Sequence, residues 1–211
     1  MKRDDRLIMT VNRKILFDQE YFEGFRSQNE VDYESRILSN YKYMKRSLLE
    51  NNPKYKQPIV YCIIVNPSLR QVFVYQRSKQ DKRYHEKRLK GRWSFGIGGH
   101  VEKLDIEKGH PILVSMLREL KEEVEIPGSV NPKLLGYIND DKDEVGKVHF
   151  GVLYVIETDS AIITPKDPEI GNGRLRTINE LDKICSSSRF IVERWSRISF
   201  KPLKLYLQKL E

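Results

Sequence analysis

Cysteine is almost missing from this chain. Cys62 and Cys185 are the two among 211 residues, and no C-x-x-C spacing occurs, so neither a disulfide framework nor a zinc site is indicated. A long apolar run is missing too. The longest is IVYCIIV, residues 59 to 65, far short of the ~20 residues that a membrane span needs. The start, MKRDDRLIMTV, lacks the apolar core of a signal peptide. These absences lead us to expect a reduced, cytoplasmic protein that does not contact a membrane. No internal repeat or low-complexity tract breaks the chain, and no basic block dominates it. Lys and Arg (38) still exceed Asp and Glu (30), for a net charge of +8. That surplus suits an anionic ligand or a nucleic acid, and it serves solubility equally well.

What is present can build a core. Hydrophobic residues make up 39% and charged residues 32%, with a mean hydropathy of −0.59, in a length that suits one domain with an appendage or two small ones. Three zones follow one another. Residues 1–55 open with LIMTV and ILF, which could form a strand. Charged and helical material follows, including ESRILSNYKYMKRSLLE, as far as the breaker cluster Asn51-Asn52-Pro53. The second zone is strand-rich. IVYCIIV and QVFVYQR flank the turn NPSLR as a hairpin, RWSFGIGGH reads as a third strand, and KLLGYI, VHFGVLYVIE and RLRTI as later ones. In the last zone Thr177-x-x-Glu180 forms a capping box before NELDKI, and Ser186-Ser187-Ser188 can cap a helix over RFIVERWSRI. The expected fold is α/β (α+β), a mixed sheet packed between helices. Residues 1–55 would be an extension on the core and residues 56–211 the main domain with its C-terminal helices.

The most informative stretch is GGHVEKLDIEKGHPILVSMLRELKEEVEIPG, residues 98 to 128. Periodicity predicts a helix over about residues 111–124. On its wheel Met116, Leu117, Leu120 and Val124 fall within about 60° of Leu113. Glu119, Glu122 and Glu123 lie on another side. Like charges at i,i+3 and i,i+4 repel by roughly 0.2–0.5 kcal/mol per pair. A helix carries such a cluster on a solvated face or around a hard divalent cation, since carboxylate oxygens suit Mg²⁺ and Mn²⁺. Before it, Gly98-Gly99 end an apolar strand, where bare backbone can approach a phosphate or lend a carbonyl to a metal.

GGHVE and RELKEEV together resemble the two halves of the signature of the Nudix hydrolase superfamily, G-x5-E-x7-R-E-U-x-E-E-x-G-U, where U is a bulky aliphatic residue. Arg118, Glu119, Leu120, Glu122 and Glu123 match its R-E-U-x-E-E part, and Gly99 matches the opening glycine. YQR, RWSFGIGGH and VHFGVLY resemble in particular a bacterial branch described as predicted phosphoesterases of the MutT type. The resemblance covers about residues 56–182. Two departures stand out. Gly99 and Arg118 lie 19 positions apart where the pattern has 14, so five residues are extra. Counted forward, the pattern's first glutamate falls on Asp105, which places the insertion in IEKGH. Counted backward it falls on His110, and Glu107 also competes. The late glycine is replaced by Glu125, and Gly128 is an alternative end to the helix.

The resemblance implies hydrolysis of a nucleoside diphosphate linked to another moiety, or of a related diphosphate, with Mg²⁺ or Mn²⁺. Glu119, Glu122 and Glu123 would be the metal ligands, with the Gly98 carbonyl as a fourth. Glu122, Glu123 and Arg118 would serve catalysis, Arg118 by orienting carboxylates. Glu169, in KDPEIGNG, would be the general base, with Asp167 as runner-up and a solvent-exposed loop acid as the plainer identity of either. Gly99, His100 and Arg77 are the candidate substrate contacts. His100 alternatively caps its turn, and Arg77 begins a basic stretch with Lys79, Lys82, Arg83, Lys87 and Arg88 that is either a lure for polyphosphate or a solvated loop. His149, Cys185 and Trp195 read as packing residues. The expected partner is a nucleotide-type diphosphate, and a homodimer is compatible with the sequence. Two other functions compete: a nucleotide-binding sensor without turnover, and an RNA 5′-end hydrolase, for which nucleic acid is the less favoured partner.

Overall fold

The computed structural model describes residues 6–78 and 90–210, with the backbone alone at Glu107 and Lys108. The basic residues Lys79 to Arg88 therefore lie outside the described residues. In chain order the elements are β1 (Leu7–Asn12), α1 (Arg13–Phe17), β2 (Gly24–Ser27), α2 (Tyr33–Asn40), β3 (Lys42–Lys45), β4 (Tyr55–Asn66), β5 (Gln71–Arg77) and β6 (Trp93–Ser94). There follow α3 (Pro111–Glu123), β7 (Val124–Glu125), β8 (Asn131–Asn139), α4 (Glu144–Val148), β9 (His149–Glu157), β10 (Thr164–Pro165), β11 (Ile170–Thr177), α5 (Ile178–Ser186) and α6 (Arg194–Gln208). The class is the expected one, a mixed sheet with α-helices.

Two compact units divide the chain. The first comprises Met1–Tyr61, Gly98–Glu119 and Leu134–Tyr154. Its strands run in the order β4-β9-β8-β2, with β1 paired to β4 and β3 to β1. β9 is buried along almost its whole length, as a run of apolar residues with two covered faces should be. Phe17, Phe22, Tyr33, Tyr137 and Phe150 form an aromatic core with ring centroids 5.1–6.2 Å apart, mostly edge to face. Such contacts add ~0.5–1.5 kcal/mol each beyond the burial of area.

The second unit comprises Cys62–Ile97, Leu120–Lys133 and Val155–Glu211. Here β5 lies between β4 and β11, pairing Val72 with Val65 and Phe73 with Leu175, and β6 adds to β5. The hairpin expected around NPSLR is present. So is the capping box of α5: Thr177 accepts from the Glu180 amide, and the Glu180 carboxylate accepts from Thr177.

Several expectations need correction, each for a tertiary reason. ILF is helix α1 rather than strand. In residues 34–50 the helix stops at Asn40, because Lys42–Lys45 pair with Thr10–Leu7 as β3. RWSFGIGGH is a strand at Trp93–Ser94 alone and then makes isolated bridges, Ile97 to Cys62 and His100 to Ile59, as its glycines bend the backbone. The serine cluster does not cap the last helix. Residues 191–193 pair with Trp93 instead, so α6 begins at Arg194 and continues to Gln208. The polar stretch NDDKDEVGK, which reads as a loop between two strands, holds the short helix α4, capped by Asp143. α3 matches the expected span within a residue, ending before Gly128 because Val124–Glu125 pair with β10. Its buried stripe is Ile112, Ser115, Met116, Leu120 and Val124, whereas Leu117 is 42% exposed.

Candidate active site

In the first unit the site begins with two glycines. The Val60 amide donates to the Gly99 carbonyl at 3.0 Å, so the loop runs flush against β4. Gly98 has φ +145°, and a Cβ there would lie 1.8 Å from the Val60 carbonyl oxygen; no L side chain fits. At Gly99 a Cβ would fall 2.5 Å from Oε1 of Glu119. The bare backbone is what lets the first motif carboxylate of α3 lie against the loop.

Arg118 organises that contact. Its Nε and Nη2 donate to the two oxygens of Asp105 at 3.0 and 3.1 Å, and its Nη1 donates to Glu119 Oε1 at 2.7 Å. Nη2 also reaches the His100 carbonyl at 3.0 Å. The planar fork thus ties the helix, the glycine loop and the 3-10 turn Lys103–Lys108 together. Burial works against the guanidinium charge, but the hydrogen bonds and charges of Asp105 and Glu119 outweigh it and raise its pKa. Asp105 is fully buried and also accepts from the Glu102 amide at 2.8 Å. Of the candidates for the pattern's first acid, Asp105 is the one seen bonded to Arg118. The Glu107 side chain lies outside the described residues, and His110 is exposed, with Nδ1 at 3.4 Å from the Leu113 amide.

The His100 ring faces the interior. Its Nε2 lies 2.9 Å from Gln57 Oε1 and 3.2 Å from His149 Nε2. Nδ1 of His149 is 2.7 Å from the Val145 carbonyl, which makes it the protonated nitrogen, so Nε2 is left to accept from His100. Burial lowers the pKa of His149 and keeps the ring neutral. Gln57 and His149 were beyond the reach of motif reasoning. Nothing in YKQPIV or VHFGV marks them as neighbours of the glycine loop.

In the second unit, α3 ends in Glu122, exposed, and Glu123, half-buried. The amides of Lys166 and Asp167 donate to the Glu123 carbonyl at 2.8 and 3.2 Å, which brings the late acidic loop to the end of the helix. Asp167 spends Oδ1 on the Glu169 amide at 2.7 Å, folding the turn. Glu169 is half-buried, and its carbonyl accepts from Ser78 at 2.9 Å. Arg77 pairs with the buried carboxylate of Glu193. Among the described residues, no three or more His, Cys, Asp and Glu side chains gather closely enough to hold an ion, and no helix is long and apolar enough to cross a membrane.

Residues 55–194 match the NUDIX domain family. The chain belongs to the Nudix family of hydrolases. It is 30% identical over 206 residues to Protein YmaB of Bacillus subtilis (strain 168), covering 93% of this chain and 97% of that one. The solved structure of Tm1382, a candidate Nudix hydrolase, is similar at TM-score 0.76 and 26% identity, over 96% of this chain and 99% of the other. The NUDIX domain of Shewanella oneidensis NrtR, complexed with ADP ribose, shares the fold at TM-score 0.53 and 14% identity, over 72% of this chain and 88% of that one.

Proposed function

We propose that this chain is a divalent-metal-dependent diphosphatase that cleaves a nucleoside diphosphate linked to another moiety, or a related diphosphate. The observation that carries the reading is the clamp of Arg118, which holds Asp105 and presents Glu119 against Gly99. Glu122 and Glu123 follow on the same helix. The donor chemistry suits Mg²⁺ or Mn²⁺: the ligands we assign are the hard carboxylate oxygens of Glu119, Glu122 and Glu123, with the Gly98 carbonyl as a further oxygen donor. A bound ion of this kind neutralises charge on diphosphate oxygens and lowers the pKa of its water.

The chain's own groups do the rest. Arg118 is charged throughout the working pH range and fixes the Glu119 carboxylate without being spent on substrate. The Gly98–Gly99 backbone gives phosphate oxygens a close approach. Glu169 is the general base we favour, with Asp167 as the alternative, and both belong to the loop whose amides bond to the end of α3. ADP-ribose, the ligand of NrtR, belongs in the substrate panel for this reason of fold.

Purified protein with Mg²⁺ or Mn²⁺ should hydrolyse at least one of a panel of nucleotide sugars, dinucleoside polyphosphates, NADH, ADP-ribose and capped RNA. Glu122→Gln and Glu123→Gln should each fold as the wild type and lose most turnover, by about 10²-fold or more, a loss of ~3 kcal/mol in transition-state stabilisation. Tight nucleotide binding with no hydrolysis anywhere on the panel would establish a sensor instead. Unchanged metal affinity and activity in both variants would remove the carboxylates from the site.

A further inference from the structure

Residues 170–210 hold nine Lys and Arg against three Asp and Glu, six of the chain's eight surplus charges. Along α6, Arg194, Arg197, Lys201 and Lys204 recur every three or four residues and so line one side of the helix, away from the buried Ser199, Leu203 and Leu207. Arg194, Arg197 and Lys201 are exposed. Like charges at this spacing oppose a bare helix, so the row works against stability. One of the three acids meets this row, at Lys204. Glu193 pairs with Arg77, Glu180 with Arg176 at 3.5 Å, and Asp182 with Lys204 at 3.2 Å.

The row runs into a cavity of about 350 Å³ in the same unit. Leu69, Ile178 and Leu207 give it apolar walls, and Arg70, Asn179 and Lys204 give it polar ones. Arg70 closes the β4–β5 turn at φ +54°. A volume of this size lies in the range of small-ligand pockets, ~300–1,000 Å³, and apolar walls with two cations suit a flat heterocycle attached to a phosphate.

We propose that this face of the second unit binds single-stranded nucleic acid, its phosphates along the α6 row and one unstacked base in the cavity. Successive cations lie about 4.5–6 Å apart along the helix axis, so that long, flexible side chains can reach successive phosphates of one strand. A duplex offers no unstacked base to the cavity. A lipid surface calls for a broad apolar stripe beside the cations, whereas Leu203 and Leu207 of α6 are buried and Leu205 is the one large apolar side chain the helix exposes. The inference goes beyond the diphosphatase reading and does not depend on it, since binding is measured without turnover.

Fluorescence anisotropy of the full chain with labelled single-stranded RNA, single-stranded DNA and duplex DNA, and flotation with vesicles of anionic phospholipid, test it. Single strands should bind best, with log K falling linearly with log salt at a slope of about −0.7 per phosphate engaged. The double variant Arg197→Gln, Lys201→Gln should bind about tenfold or more weakly and lose roughly 1.4 from that slope. Arg70→Asn, which keeps a residue tolerant of positive φ, should weaken binding to a normal strand and leave an abasic strand unaffected. Both variants should hydrolyse small diphosphates as the wild type does, so a failure here is distinct from a failure of the diphosphatase reading. A preference for RNA or for DNA supports the surface and identifies the sugar. Equal binding of single strands and duplex, preferential binding to the vesicles, or wild-type affinity in both variants would overturn it.

Discussion

Arg118 and Lys56 are both cations drawn into the first unit against an aspartate, yet their surroundings divide their roles. Lys56 is fully buried, and its three ammonium donors go to Asp141 Oδ1 at 2.6 Å, the Gly146 carbonyl at 2.7 Å and the His149 carbonyl at 3.0 Å. Asp141 also accepts from Arg13 and from the Tyr21 hydroxyl. Every polar group in that cluster faces another of the protein's own, so it locks the loop before β9 onto β4. Arg118 is 18% exposed, and its fork divides between Asp105, which it anchors, and Glu119, which it presents. A compact ammonium saturated by three acceptors makes a joint, whereas a planar guanidinium shared by two carboxylates can hold one of them ready for a ligand. Burial of a charge is therefore no sign of function by itself. What matters is where the cluster holds its acid, and Arg118 holds Glu119 against the bare backbone of Gly99.

Lys56→Met should sharpen this contrast most. It strips two buried carbonyls and Asp141 of a donor, and removing one partner of a buried pair costs about 3–5 kcal/mol. Urea denaturation should show that loss, while kcat of the folded protein stays near the wild-type value. A large fall in kcat at preserved stability would break the comparison and bring the joint into the site.

Arg118→Lys should show the opposite pattern. A lysine keeps the charge but cannot span Asp105 and Glu119, and a misplaced catalytic group costs up to about 10²-fold. We expect kcat to fall by about 10- to 100-fold with KM little changed and stability down by only ~1–2 kcal/mol. Equal losses in kcat and kcat/KM would mark a positioning residue, whereas a rise in KM alone would place Arg118 on the substrate.

The smallest effect concerns pH. Burial opposes the charge on Asp141, but its donors Arg13 and Lys56 hold its pKa at about 2, below the ordinary 3.8. A carboxylate depressed on folding stabilises fully above its unfolded pKa and loses that contribution as pH falls through the folded one. The stability gap between wild type and Asp141→Asn should therefore be constant near neutral pH and close between about pH 4 and pH 2. A gap that persists to pH 2 would mean that Asp141 acts by packing rather than by charge.

How much of this the sequence showed depends on the range of the interaction. The helix from Pro111, its acids, the β4–β5 hairpin and the α5 capping box were all legible, because each is a periodicity or a spacing within one short segment. Asp105, from the forward count, was available as one of three candidates. It could not be chosen until Arg118 was seen to grip that aspartate, since a count has no energy attached to it and a bidentate hydrogen bond does. Lys42–Lys45 read as helix because the window held helix formers. Pairing with β1, more than thirty residues away, supplied backbone partners that propensity could not outweigh.

The local sequence by itself determined that α3 would be amphipathic with three carboxylates off its apolar side, and that a side-chain-free turn would precede it. Helical periodicity and the backbone freedom of glycine act over a few residues and need no partner. The tertiary structure decided that Gly99 lies against Glu119, that His149 and Gln57 stand behind His100, that the loop of Glu169 is bonded to the end of α3, and that Lys56 closes on Asp141 85 residues away. Those contacts join strands and loops from distant segments, and the free energy that selects them comes from burying the sheet and satisfying its polar groups, which no short window of sequence contains.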